Sequence, residues 1–325
     1  MKRPVVLGIE STAHTMGIGI VREGKIVANE RCAYKPKKEG IMPRKAAEHI
    51  SNSLGKVLFT ALNRANTSLY EVDAVAFSQG PGIGAPLKIG CVAARMLSLI
   101  AKKPLVGVNH CVAHVEIAKD YASFKDPLAV YASGGNTQII VRIGNRYHVL
   151  GETLDIGVGN LLDTVARAMG AVLPSGRFIE ELAKNGSYIE MPYVVKGMDF
   201  SFSGLLTDAV KKLGKYEKED IAFSLQEHAF SMITEAAERA LHLTGKKEVV
   251  ACGGVAQNAR FQEMLLKMCE ENNVFFSAPP PELTGDNGAM IAYTGASMFS
   301  KGITTPFRKA VAIQKYRIDE VVLWY

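Results

Sequence analysis

The chain has 325 residues, 48% hydrophobic and 22% charged, with a formal net charge of +6 at pH 7. That length suits two cores better than one, and the composition is ordinarily globular. No uninterrupted apolar run reaches the roughly 18 residues of a membrane span, and the apolar stretch in "MKRPVVLGIEST" is too short for a secretory leader. Cys32, Cys91, Cys111, Cys252 and Cys269 form no C-x-x-C pair, which fits a reducing cytoplasm rather than a disulfide framework.

The predicted elements run through one order twice. "PVVLGIESTAHTMGIGIVREGKIVANE" reads as strand, small-residue turn, strand, "REGK" turn and third strand. A helix over about 43–65 follows, then a strand at "DAVAFSQ", a helix over about 85–101, a strand at "PLVGV" and a helix beginning near His110. The order restarts with "PLAVYASGGNTQIIVRIGNRYHVLGE", again three hairpinned strands. A helix from about 158 comes next, then an irregular stretch over about 170–216 and a long helix at "EDIAFSLQEHAFSMITEAAERALHL". The strand "EVVACGG", a helix at "ARFQEMLLKMCEEN", the strand "VFFSA" and a helix from about 286 complete the chain. Strands alternating with helices across short connections predict an α/β protein with mixed sheets covered on both faces. A boundary near 124–126 divides it into domains 1–124 and 125–325, the second with an insertion at about 170–216.

Within that frame, "GVNHCVAHVEIA" (107–118) sets His110 and His114 four residues apart on one helix face, about 5–6 Å apart at Cβ. The pair reads either as two metal ligands or as one exposed and one core histidine. A glutamate at 111 would complete the zinc-protease pattern H-E-x-x-H, but Cys111 stands there. Three small-residue turns follow strands, "ESTAHT" (10–15), "SGGNTQ" (133–138) and "GGVAQN" (253–258). Such turns let backbone N–H groups approach an anion. "SQGPGIGAP" (78–86) is compatible with a tight connection or with ligand contact, and "GDNGAM" (285–290) puts Asp286 at a helix N-cap. Basic runs at 34–38 ("YKPKK"), 211–218 and near the C-terminus are solvated faces or a surface for a polyanion such as RNA.

The duplicated order of three hairpinned strands and alternating helices resembles the actin, sugar-kinase and Hsp70 superfamily, whose nucleotide sits in the cleft between two such domains. "GIESTAHT", "FSQGPGIGAPL", "GVNHCVAHVEI", "YASGGNTQ", "GETLDIGVGNLLD", "VKGMDFSFSGLLT", "GGVAQNARF" and "GDNGAMIAYTG", in that order, resemble the tRNA threonylcarbamoyladenosine transferase family. That family was formerly labelled O-sialoglycoprotein endopeptidase. The likeness runs from about residue 4 onward and is to the archaeal and eukaryotic branch, where the protein is a KEOPS subunit.

The resemblance implies a duplicated actin-like fold with a nucleotide and metal site in its cleft. It implies His110, His114, Tyr131 and Asp286 as ligands of one divalent ion, Fe2+ first and Zn2+ as the alternative. ATP or threonylcarbamoyl-adenylate would contact Tyr131, Ala132, Ser133, Gly134, Gly135, Asp163, Gly176, Glu180 and Asn258. The reaction implied is threonylcarbamoyl transfer to the adenosine 3′ of the anticodon in tRNAs reading codons that begin with A. The implied partners are tRNA, a small atypical protein kinase, a small dimerising subunit and an accessory subunit, in the cytoplasm and without a membrane. No residue stands out as the base. The family pattern is departed from at "PSGR" (174–177), at Ala259 beside Asn258, at Ile50 after His49 and at Ser11. Two competing readings are a metalloprotease, which lacks its glutamate, and a non-catalytic nucleotide-binding scaffold that regulates a partner.

Overall fold

The computed structural model describes residues 4–34 and 40–325. Most of the basic run at 34–38 therefore lies outside the described residues. The described chain forms two compact units, residues 4–34, 41–117 and 286–325 in the first and 118–285 with Gly40 in the second. The sequence-drawn boundary near 124–126 falls seven to nine residues beyond the one at 117/118, and residues 286–325 pack with the first unit rather than with the half they follow in sequence.

In the first unit β1 (Val5–Glu10), β2 (Thr15–Arg22) and β3 (Lys25–Ala33) form an antiparallel meander. Then come α1 (Pro43–Arg64), β4 (Ala74–Gly80), α2 (Gly84–Ala101), β5 (Leu105–Asn109) and α3 (His110–Ala122). β4 runs parallel to β1 and β5 parallel to β4, giving the order β3-β2-β1-β4-β5. By length and composition α2 is the one helix among the described residues able to cross a membrane; half of it is buried, against α1 and β4.

The second unit repeats this plan. β6 (Leu128–Ala132), β7 (Thr137–Ile143) and β8 (Arg146–Glu152) are its meander, followed by α4 (Val158–Ala168). The stretch expected to be irregular holds α5 (Gly176–Ala183), the short pair β9 (Val195–Lys196) and β10 (Asp199–Phe200), and α6 (Ser203–Lys212). After α7 (Lys218–Thr244) come β11 (Glu248–Cys252), α8 (Ala259–Glu271), β12 (Phe275–Ser277) and α9 (Pro281–Thr284). The order β12-β11-β6-β7-β8 matches the first sheet strand for strand, with β11 parallel to β6 and β12 parallel to β11. Asp155 ties the insertion down, accepting the N–H groups of Phe202 and Ser203 and the Ser201 hydroxyl. Burial pushes its carboxyl upward, but these bonds outweigh that and hold it well below the usual carboxylate range.

Finally α10 (Gly288–Ser300) returns to the first sheet. The period-2 alternation of β1 and β2 explains how it fits. Leu7, Ile9, Met16, Ile18 and Ile20 pack into one core with Ile50 of α1 and Ala94 of α2, whereas the alternate positions Gly8, Gly17 and Gly19 meet α10. A Cβ at Gly19 would stand 2.2 Å from the Ala289 nitrogen, and one at Gly8 2.2 Å from that of Ala292. Helix backbone rests on strand backbone there, which fixes the start of α10 and the residues just before it.

Candidate metal centre and nucleotide-type turns

His110 opens α3 and His114 sits one turn later, so the helical repeat sets the two imidazoles edge to face, with centroids 4.6 Å apart and planes at 88°. Both are buried, His110 at 6% exposure and His114 at 0%. Asp286 arrives from the turn before α10. The structure corrects its expected role: Asn287 is the N-cap, its side chain accepting the Met290 N–H at 3.0 Å. Relieved of capping, the Asp286 carboxylate lies 3.5 Å from His110 Nε2 and 3.4 Å from His114 Nε2.

Those spacings carry the fit to a metal. Ligand atoms about 2.1 Å from a tetrahedral ion stand about 3.4 Å from one another, and the three donors lie within 4.8 Å of one another. Two imidazoles and a carboxylate suit zinc and iron alike.

Sequence reading missed Glu10. It is fully buried at the end of β1, and one of its oxygens accepts the His110 Nδ1–H at 2.9 Å. The other accepts the Thr12 N–H at 2.6 Å and the Thr12 hydroxyl. A carboxylate only accepts, so this contact assigns the proton to Nδ1 and leaves Nε2 facing Asp286. A charged residue ending the apolar run "VVLGIE" was the available signal. "ESTAHT" is therefore a clasp on His110 more than an open anion cradle, since the Ser11 N–H is also taken, by Ser78 Oγ.

The charges are interlocked. Burial disfavours a charged His110, but Glu10, through its charge and its hydrogen bond, and Asp286 outweigh it and raise the imidazole to about 9. Burial, with the neighbouring His110 charge, pushes His114 down despite Asp286. Asp286 is held well below the usual carboxylate range: burial opposes this, and the His114 hydrogen bond and both imidazoles prevail. Glu10→Gln is expected to weaken Zn2+ binding about 10–100-fold, because the same buried carboxylate stabilises a dication more than it does a proton on Nε2. Chelator-competition titration of the two proteins checks this.

The second unit gathers the residues expected at a nucleotide. Tyr131 and Ala132 end β6, with Tyr131 1% exposed. In the turn that follows, Ser133 N–H donates to the Asn136 carbonyl at 2.8 Å. The first turn of α4 is bound to the same loop, Gly159 N–H to Ser133 O at 3.1 Å and Asn160 N–H to Gly134 O at 3.1 Å. Asp163 lies one turn along α4, and Gly176 opens α5 against Leu162. Glu180 accepts the Ala259 N–H at 2.7 Å, while Asn258 caps α8 by accepting the Phe261 N–H at 3.0 Å. Ala259 thus contributes through its backbone, whatever its side chain. A Cβ at Gly135 or Gly254 would meet no atom, so both turns keep room above the backbone. Tyr131, expected as a fourth metal ligand, belongs to this unit, whereas His110, His114 and Asp286 belong to the first.

Two matched sheets, each with its own helices, and a histidine–carboxylate donor cluster define an α/β protein of the actin-like ATPase fold. Over 92% of its length the chain aligns with HypF of T. kodakarensis at a TM-score of 0.63 and 15% identity, spanning 48% of that chain. Over 93% it aligns with the activator of the 2-hydroxyisocaproyl-CoA dehydratase from Clostridium difficile, with bound ADPNP, at a TM-score of 0.56 and 14% identity, spanning 99% of that chain. A family model described as tRNA N6-adenosine threonylcarbamoyltransferase matches residues 24–293, and the chain belongs to that family. It is 53% identical to the tRNA N6-adenosine threonylcarbamoyltransferase of Thermococcus sibiricus over 98% of this chain and 100% of the relative. It is accordingly a transferase of tRNA modification.

Proposed function

We propose that this enzyme transfers the threonylcarbamoyl group of threonylcarbamoyl-adenylate to N6 of the adenosine 3′ of the anticodon, in tRNAs that read codons beginning with A. The observation that carries the reading is full-length likeness to a transferase of that name, in a chain whose two histidines and Asp286 converge at donor spacing. In the reaction a C–N bond forms between N6 and the carbamoyl carbon, the carbamoyl–phosphate C–O bond breaks, AMP leaves, and the amine proton passes to solvent.

AMP is a good leaving group, so orientation and charge stabilisation dominate the catalytic task. A divalent ion held by His110, His114 and Asp286, Fe2+ first or Zn2+, would supply Lewis-acid polarisation of the donor carbonyl. Glu10 and Thr12 keep His110 in the tautomer that such an ion requires. Tyr131 to Gly135, Asp163, Gly176, Glu180 and Asn258 are the proposed contacts of ATP or the acyl-adenylate. The target adenosine leaves the anticodon-loop stack to react. The enzyme works in the cytoplasm with the other KEOPS subunits: a small atypical kinase, a small dimerising subunit and an accessory subunit.

The test adds purified chain, carbonyl-labelled threonylcarbamoyl-adenylate and unmodified tRNA to an extract of cells lacking the protein, which supplies the partners. Label is expected in the anticodon-loop adenosine only when the chain is added. Label that stays in the small-molecule fraction with the chain present contradicts the reading.

A further inference from the structure

The "SQGPGIGAP" turn touches the "ESTAHT" turn, Ser78 Oγ accepting the Ser11 N–H and Ile83 N–H donating to the Thr12 carbonyl at 2.7 Å, and the C-terminal segment also packs against it. A Cβ at Gly80 would stand 1.8 Å from the Ile313 carbonyl oxygen, and one at Gly84 2.1 Å from the Gln314 side chain. These glycines make room for the C-terminal segment rather than for a ligand. Backbone bonds seat the segment: Thr305 N–H to Leu105 O at 2.7 Å, Ile313 N–H to Gln79 O at 2.7 Å, and Gly82 N–H to Gln314 O at 3.2 Å. Further on, the segment touches both helices associated with the donor cluster. Tyr325 donates its hydroxyl to Glu116 of α3, and the Trp324 indole N–H donates to Ser297 of α10 at 2.7 Å.

Between this segment and the histidines stands Asn109, 4% exposed. Its side-chain oxygen accepts the Val112 N–H at 3.1 Å, the bond that caps a helix start. Its amide N–H2 donates to the carbonyls of Tyr316 at 3.0 Å and Arg317 at 3.4 Å. The two ends are chemically distinct: the oxygen faces an N–H and the nitrogen faces two carbonyls, so only an amide satisfies both sides. His110 is the next residue.

We propose that Asn109 is a positioning residue, joining the first turn of α3 to the seated C-terminal segment so that the segment sets where His110 and His114 present their Nε2 atoms. The inference rests on the metal reading given under Proposed function. A cap alone would hold the helix; the tether to the carbonyls of Tyr316 and Arg317 adds a fixed point outside it, and ligand geometry responds to such supporting contacts.

The test uses Co2+ as the probe, reading affinity by chelator competition and ligand geometry by visible absorption, with thermal unfolding alongside. Asn109→Asp keeps an oxygen for Val112 but turns the other oxygen towards two carbonyls. Asn109→Ser still caps α3 but does not reach the carbonyls of Tyr316 and Arg317, so it removes the tether alone. Both are expected to bind Co2+ about tenfold more weakly or worse, with a shared change in absorption while folded. Where Asn109→Asp fails to fold, Asn109→Ser carries the comparison. Folded variants that bind within twofold of wild type with an unchanged spectrum overturn the proposal. Wild-type protein that binds no Co2+ overturns the ligand set itself, and this inference with it.

Discussion

Replacing His110 and His114 together by alanine is expected to abolish stoichiometric metal binding and to lower threonylcarbamoyl transfer by about 10²-fold or more, the rate equivalent of about 3 kcal/mol or more. Two of three converging donors are lost, and Asp286 alone does not hold an ion against water. Alanine is the best helix former, so α3 itself persists. The cost falls on Glu10, fully buried and left with the Thr12 donors only, about 1–3 kcal/mol for the lost charge-assisted bond. His114→Ala alone leaves the Glu10–His110 pair intact and separates the two effects. Elemental analysis after dialysis gives the metal content, and circular dichroism the fold. A folded double variant that keeps one ion per chain would place the metal elsewhere.

Gly288→Ala carries the second large effect. A Cβ there would stand 2.1 Å from the Gly19 nitrogen and 2.3 Å from the Ile18 carbonyl carbon. Backbone atoms of a central strand cannot step aside as a flexible side chain can, so the helix must lift. Overpacking of this kind costs about 3 kcal/mol or more, which lowers Tm by about 6–12 °C for a unit of this size. Because Asp286 lies two residues before Gly288, lifting the helix also withdraws a donor, and Zn2+ affinity is expected to fall along with stability. Gly204→Ala, in the first turn of α6 where a Cβ would meet nothing within 4 Å, should leave Tm unchanged or raise it slightly. Equal melting of Gly288→Ala and wild type would contradict the close-packed account of α10.

Legibility in the sequence followed the range of the interactions involved. The duplicated meanders were readable because alternation along a strand is local: Leu7 and Ile9 flank Gly8, and Ile18 and Ile20 flank Gly19. The histidine pair was readable for the same reason, through its four-residue spacing. α5 and α6 were not, since each buries only about two residues, Ile179 with Ala183 and Leu205 with Ala209, too few for a period to emerge. Asp286 and Asn287 are adjacent N-cap formers, and local chemistry does not choose between them. The choice is made by where α10 lands on β1 and β2. Glu10 and Asn109 were missed for a related reason: their partners are 100 and about 200 residues away in sequence. The return of residues 286–325 to the first unit depends on the glycine face of the first sheet and on backbone bonds from β4 and β5, none of which leaves a periodic trace.

The most direct measurement is nucleoside mass spectrometry of tRNA from cells depleted of this protein and complemented with wild type or with the folded His110→Ala/His114→Ala chain at equal level. Such cells supply the partner proteins, so a loss of product reports on this chain alone. Threonylcarbamoyladenosine is expected to return with wild type and to stay absent with the double variant. Its absence with wild type would contradict the transferase reading, and its full return with the double variant would contradict the role of the histidine pair.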